Sequence, residues 1–211
     1  MSQIKEQSMF AHSESSLEVN GRKMNITRLS DEPVVAVFEN VLDEEECNAI
    51  IELSRGELKR SKVGTDKQEH AMRTSSGAFL DTHRSHVVSE VENRLCTMMG
   101  MPLSHAENLH ILHYRPGEEY KAHMDSFTKT DVNNRIATMV VYLNDVEEGG
   151  ETQFPKLGLT VSPKRGSALY FEYFYNDPKL NALTLHAGSP VLLGEKWAAT
   201  LWVRRQKIRT Q

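Results

Sequence analysis

Cysteine is scarce in this 211-residue chain: Cys47 and Cys96 are the only two. They are too few for a thiolate-bound metal cluster, and each falls in a pattern that reads as a buried helix face. Two free core thiols fit a reducing, cytoplasmic setting, although one disulfide would also satisfy the count. Long apolar runs are missing as well. No stretch approaches the roughly 18 residues that a bilayer crossing requires, so no membrane partner is expected. The opening stretch MSQIKEQSMFAHSESS lacks the basic start and apolar run of a secretion signal. Nor is positive charge in excess. Lys and Arg number 25 against 29 Asp and Glu, for a net charge of −4, which argues against a phosphate backbone as the main partner. The basic cluster Arg204, Arg205, Lys207 and Arg209 reads as a solvated tail. What is present suffices for a sizeable core, since 39% of the residues are hydrophobic.

Residues 1–30 are polar and expected to be loose at first, with Met24–Leu29 forming a short edge strand. A single domain is expected over 31–211, with helical support over about 43–100 and a β core over about 107–204. PVVAVF at 33–38 reads as a strand. Asp43 suits an N-cap, and Cys47, Ile50, Ile51, Ser54 and Leu58 at 3–4 residue spacing predict a helix over 44–59. A second helix is predicted over 84–98, stopped by Gly100 and Pro102. Arg60–Leu80 between them is long and polar, which suits a functional loop or lid. Strands are predicted at 109–114, 120–125, 136–143, 167–174, 183–186 and 196–203, separated by Gly, Pro, Asn and Asp turns. This pattern predicts a mainly β jelly roll with flanking α, packed against the two earlier helices. The aromatic run 170–175 reads as strand residues covering both sheet faces, and Gly149–Gly150 as a turn rather than a phosphate loop.

The chemistry concentrates in His123, Asp125 and a distant His186. On a strand, residues two apart share a face, so His123 and Asp125 can address one metal ion. Two imidazoles and one carboxylate bind one face of Fe(II) and leave positions open. The same ligand count would serve zinc. Lys196 shifts the balance, because a 2-oxo diacid cosubstrate brings a second carboxylate that a buried site must pair. Tyr114, on the preceding strand, can aim its hydroxyl into the same barrel. The expectation is an iron- and 2-oxoglutarate-dependent oxygenase, with O2 taking a remaining metal position. The histidines at 70, 83, 86, 105, 110 and 113 show no ligand grouping.

Four stretches carry a resemblance: RTSSGAFL (73–80), LHYRPGEEYKAHMD (112–125), RIATMVVYLNDVEEGGETQFP (135–155) and HAGSPVLLGEKWAATLWV (186–203). In order and spacing the chain resembles the bacterial prolyl 4-hydroxylases, relatives of the catalytic domain of collagen prolyl 4-hydroxylase. The Tyr-x-x-His-x-Asp form and EEGGET-x-FP are the branch-specific parts. The resemblance implies a double-stranded β-helix, cupin-like core buttressed by N-terminal helices. It implies His123, Asp125 and His186 as iron ligands, Lys196 on the distal 2-oxoglutarate carboxylate, and Tyr114 assisting. Tyr120, Arg135 and Trp202 are implied as substrate contacts. Some relatives carry histidine where this chain has Arg204. The implied substrate is a proline-containing peptide in polyproline II form, collagen-like or part of a protein such as a translation factor. Ascorbate is implied as a reductant, and some members form homodimers. Two rival readings remain: an oxygenase acting on a free amino acid or another small molecule, and a non-catalytic peptide-binding module. The intact triad and Lys196 speak against the second.

Overall fold

The computed structural model describes residues 8–10, 14–61, 71–127 and 133–210. Nine strands form the major sheet, in spatial order β1 (Ser16–Val19), β2 (Arg22–Asp31), β3 (Val34–Glu39), β12 (Ala168–Glu172), β8 (Arg135–Tyr142), β15 (Lys196–Arg204), β6 (Leu109–Tyr114), β5 (Ser76–Leu80) and β4 (Lys59–Arg60). A minor sheet runs β11 (Leu159–Val161), β10 (Thr152–Phe154), β13 (His186–Gly188) and β7 (Tyr120–His123), while β14 (Val191–Leu193) pairs with β9 (Glu148–Gly149). The fold is mainly β, a jelly roll, with helices α1 (Glu44–Arg55), α2 (His86–Met98) and α3 (Pro178–Leu183).

Strand periodicity divides the interior in two. On β3 and β12, Ala36, Phe38, Ala168 and Tyr170 turn toward the helices. Val35, Leu169, Phe171 and Tyr173 turn toward Phe154 and Val161 of the minor sheet. This alternation lets one strand serve two cores. Cys47, Ile50 and Ile51 of α1, and Val88, Val91, Leu95 and Met98 of α2, bury their apolar stripes in the first core. Each such aliphatic side chain contributes on the order of 1.5–3 kcal/mol. Both cysteines are free and buried, and burial pushes their thiols up to about 11 for Cys47 and about 12 for Cys96. No helix among the described residues is long and apolar enough to cross a membrane.

Asp43 caps α1 in a reciprocal box: it accepts from the Glu46 amide at 2.8 Å, and its own amide donates to Glu46 at 2.9 Å. Arg94 of α2 donates to the same Glu46 at 2.7 Å and to the Val41 carbonyl at 2.9 Å, locking the two helices together.

Several expectations need correction. The 1–30 stretch is not loose throughout, because β1 and β2 form a hairpin that extends the major sheet and buries Met24. Helix α1 stops at Arg55, one residue after the buried Ser54 and beside Gly56, instead of running to 59. Helix α2 starts at His86 because Ser85 caps it, accepting from the Val88 amide at 3.2 Å. Within the expected 60–80 loop, Ser76–Leu80 is a strand paired to β6 along its whole length. Its Ser-Gly start hides the alternation that would mark it. Residues 62–70 of the expected lid, including His70, lie outside the described residues. The expected strand at 183–186 is a helix ending at Leu183, with Asp177 as N-cap and Pro178 in its first turn. His186 therefore opens a strand instead of closing one.

The C-terminal basic cluster is not simply a solvated tail. Arg209 grips the fully buried Glu92 at 2.9 and 3.0 Å, Arg204 pairs with Glu107, and Arg205 donates to the Phe174 carbonyl at 2.8 Å. Only long-range packing reveals these partners, since each lies far back along the chain.

Candidate active site

β7 and β13 pair antiparallel with His123 opposite His186, which brings the two rings to 4.3 Å between centroids. Strand β7 ends at His123, so Asp125 stands in the bend beyond it rather than on the strand. The bend nonetheless returns the carboxylate. One donor atom from each of His123, Asp125 and His186 lies within 4.8 Å of the others.

The ring orientations suit a metal. The Nδ1 of His123 lies 2.9 Å from the Lys121 carbonyl, and that of His186 lies 2.9 Å from the Thr184 carbonyl. A carbonyl only accepts, so each Nδ1 carries the proton and each Nε2 presents its lone pair. These Nε2 atoms stand 3.5 and 3.8 Å from the two oxygens of Asp125. Burial pushes His186 down to about 4, against the opposing pull of Asp125, so its imidazole is neutral near pH 7. Burial alone would raise Asp125, but His186, His123 and Arg135 hold it well below the usual carboxylate range. A neutral imidazole at His186 and an ionised carboxylate at Asp125 are protonation states that metal ligation requires.

Asp125 is held from behind. Its Oδ2 accepts from Thr138 Oγ1 at 2.7 Å and from the indole N–H of Trp202 at 3.0 Å. Because the one hydroxyl proton of Thr138 points at Asp125, the Tyr173 hydroxyl, 2.8 Å away, donates to Thr138. Phe171 meets the His186 ring edge-on at 4.7 Å. Thus one face of the 170–175 aromatic run does reach the candidate metal site, which the sequence reading had not assigned to it.

Lys196 opens β15 directly opposite Tyr114. It is buried, its Nζ donates to the Gly150 carbonyl at 2.6 Å, and it lies 5.5 and 5.4 Å from the ring centres of Tyr114 and Tyr142. Among the described residues no carboxylate forms an ion pair with it. Burial pushes its ammonium down to about 8, with Glu151 opposing. Gly150 supplies that carbonyl from a turn with φ of +71°, a conformation glycine adopts without strain. The Gly-Gly turn thus also serves Lys196.

The remaining expected residues gather around the same centre. Tyr120 stacks on His123 at 3.5 Å and is covered by the Arg73 guanidinium at 4.7 Å from its ring. Arg135 lies 3.7 Å above the Trp202 ring and grips Glu107 with two bonds at 2.7 and 2.8 Å. Arg204 joins it on Glu107. Thr138, Tyr173, Glu107 and Arg73 were not singled out from sequence. The one available signal was the alternation of β8, which places Thr138 on the face opposite Ala137 and Met139.

A family model described as the 2OG-Fe(II) oxygenase superfamily matches residues 109–204. The chain is 37% identical over 203 residues to a probable prolyl 4-hydroxylase of Arabidopsis thaliana, covering 83% of this chain and 70% of that protein. Its structure is similar to a viral collagen prolyl hydroxylase from Paramecium bursaria Chlorella virus-1, solved as a 2OG complex. The TM-score is 0.66 at 27% identity, over 83% of this chain and 98% of that one. A Pseudomonas putida prolyl-4-hydroxylase shares the fold, with a TM-score of 0.60 at 19% identity, over 82% of this chain and 92% of that one.

Proposed function

Since the chain belongs to the prolyl 4-hydroxylase family of 2OG-Fe(II) oxygenases, we propose that it hydroxylates peptidyl proline at the His123–Asp125–His186 centre. With both groups bound, Fe(II) and 2-oxoglutarate activate O2, and the keto acid leaves as succinate and CO2 while one oxygen enters the proline C–H bond. The carrying observation is one donor atom from each of His123, Asp125 and His186 converging within 4.8 Å, with the buried Lys196 ammonium, which no carboxylate among the described residues pairs, in the same barrel.

The chain's own residues divide the work. His123, Asp125 and His186 hold the metal from one side. Lys196 pairs with the distal carboxylate of the cosubstrate, where a charge-assisted bond in a dry pocket is strong, and Tyr114 supports that carboxylate. Thr138 and Trp202 fix Asp125 from behind. Tyr120, Arg135 and Trp202 form the wall against which the proline rests, and the low exposure of the site keeps bulk water out. Ascorbate acts only as an external reductant, because 2-oxoglutarate and the proline C–H bond each supply two of the four electrons that O2 takes up in a turnover. Two buried free thiols support a reducing, cytoplasmic setting.

The test is to load the protein with Fe(II) without oxygen, add 2-oxoglutarate and a proline-peptide library, and admit O2. Gain of one oxygen atom on peptidyl proline, matched by succinate and absent in His123→Ala, is the expected result. Folded protein that binds iron and cosubstrate but oxidises only small molecules would overturn the peptide reading. Failure to bind either group would overturn the oxygenase reading.

A further inference from the structure

Two guanidiniums share one carboxylate beside the candidate active site. Arg135 opens β8 and pairs in register with Arg204 at the end of β15. Arg135 takes both oxygens of Glu107 through Nε and Nη2, at 2.7 and 2.8 Å, and Arg204 adds its own Nε to Oε1. Among the described residues no other carboxylate forms an ion pair with either arginine. Two positive charges therefore meet one negative charge, and one positive charge is left over.

This surplus lies at the proposed substrate wall. Arg135 sits 3.7 Å above the Trp202 ring, and the Trp202 indole donates to Asp125 of the candidate triad at 3.0 Å. The Arg135 guanidinium also lies 5.1 Å from the Phe127 ring centre, and that of Arg204 lies 4.7 Å from it. Phe127 is itself clasped by Asn134, which accepts from its amide at 2.7 Å and donates to its carbonyl at 2.9 Å. The rings hold both cations by their faces and leave the guanidinium edges for hydrogen bonding.

The edges are not used up. Arg204 Nη1 donates to the Asn133 carbonyl at 2.6 Å, but Arg204 Nη2 and Arg135 Nη1 take no acceptor among the described residues. Neither is sealed off, since the buried polar atoms that lack partners are other ones. The two side chains are 16% and 20% exposed, open enough to be reached and dry enough for a charge pair to count. Glu107, the aromatic faces and Asn133 order both forks in advance, so a ligand meets little entropy cost there. A planar fork with spare parallel N–H donors matches a carboxylate.

We propose that Arg135 and Arg204 form a carboxylate subsite, which favours peptides carrying an acidic group close to the target proline. This rests on the prolyl hydroxylase reading and narrows it, with Arg204 as the specificity-determining residue. The group bound is a carboxylate, whether from an Asp or Glu side chain or from the peptide's own carboxyl terminus.

The experiment uses the iron-loaded protein with 2-oxoglutarate and amidated host peptides that hold one proline among serine, alanine and glutamine. Each glutamine near the proline is replaced in turn by glutamate or lysine, and one series carries a free carboxyl terminus. Peptide affinity is measured without O2, and kcat/KM with it. Glutamate at one position should raise affinity about fivefold over glutamine, and kcat/KM by the same factor through KM. Lysine there should lower both, and high salt should erase the difference. Arg204→Gln should bring the glutamate-to-glutamine ratio close to one, whereas Arg204→Lys should keep part of it. The ratio compares two peptides on one protein, so a general loss of activity in a variant does not imitate the effect. A gain confined to the free carboxyl terminus would support the subsite and identify the chain end as its ligand. Hydroxylation of every peptide with no gain from any carboxylate would overturn the subsite and leave the prolyl hydroxylase reading intact. A preference that survives whole in Arg204→Gln would overturn it as well. No hydroxylation of any peptide by the unaltered protein would overturn both.

Discussion

The indole N–H of Trp202 points at Oδ2 of Asp125 from 3.0 Å, joining the last strand of the major sheet to the carboxylate of the candidate iron triad. Together with Thr138 it fixes which lone pairs of Asp125 remain for a metal. A tryptophan expected at the substrate wall therefore also orients a candidate metal ligand.

Removing that bond should be visible in metal binding. Trp202→Phe keeps an aromatic ring but cannot donate, so Fe(II) affinity should fall about 10–100-fold, as is usual when a ligand's supporting hydrogen bond is lost. Anaerobic iron titration measures this directly. Unchanged affinity would mean that Thr138 alone orients Asp125.

The ligands themselves set a steeper standard. His123→Ala, Asp125→Ala and His186→Ala should each abolish iron-dependent peptide oxidation while leaving far-UV circular dichroism unchanged, because none of the three anchors the main apolar cluster. Substantial turnover by any one of these variants would remove that residue from the proposed triad.

Cosubstrate binding should depend on pH through Lys196. Burial lowers this ammonium to about 8, and only its charged form pairs with a carboxylate. Affinity for 2-oxoglutarate should be flat below that value. Above it, deprotonation of the free site should lower affinity by up to about tenfold per pH unit. Calorimetry on the oxygen-free iron complex can follow the fall. Lys196→Ala should bind weakly at every pH, whereas Lys196→Arg, always charged, should lose the pH dependence.

Stability should rest in part on the C-terminal latch. Glu92, fully buried, accepts from the Leu109 amide at 3.0 Å, from Arg209 at 2.9 and 3.0 Å, and from Thr82. Arg209→Met would leave this carboxylate without its counter-charge, at a cost of about 3–5 kcal/mol in urea unfolding. Glu92→Gln combined with Arg209→Met should recover part of that loss, because no buried charge then stands alone. No recovery would show that the Arg209 contacts to the Ala106 and Glu107 carbonyls matter more.

Much of this protein was legible in sequence by itself. Alternating apolar residues from Leu109 to Val203 marked the β core, Asp43 marked the start of α1, and His123, Asp125, His186 and Lys196 stood out by type and spacing. Those signals are local: strand period, capping chemistry and metal-ligand pattern all act over a few residues. The tertiary structure decided what depends on distant partners. It recruited Ser76–Leu80 into the sheet, where pairing with β6 outweighs a glycine- and serine-rich start. It turned the basic C-terminus inward onto Glu92 and Glu107, and set Thr138, Tyr173 and Trp202 behind Asp125. It also laid His110, a histidine with no motif around it, between Phe79 and Trp202. Register between strands far apart in the chain determines which side chains meet across a sheet, and no short window of residues contains that register.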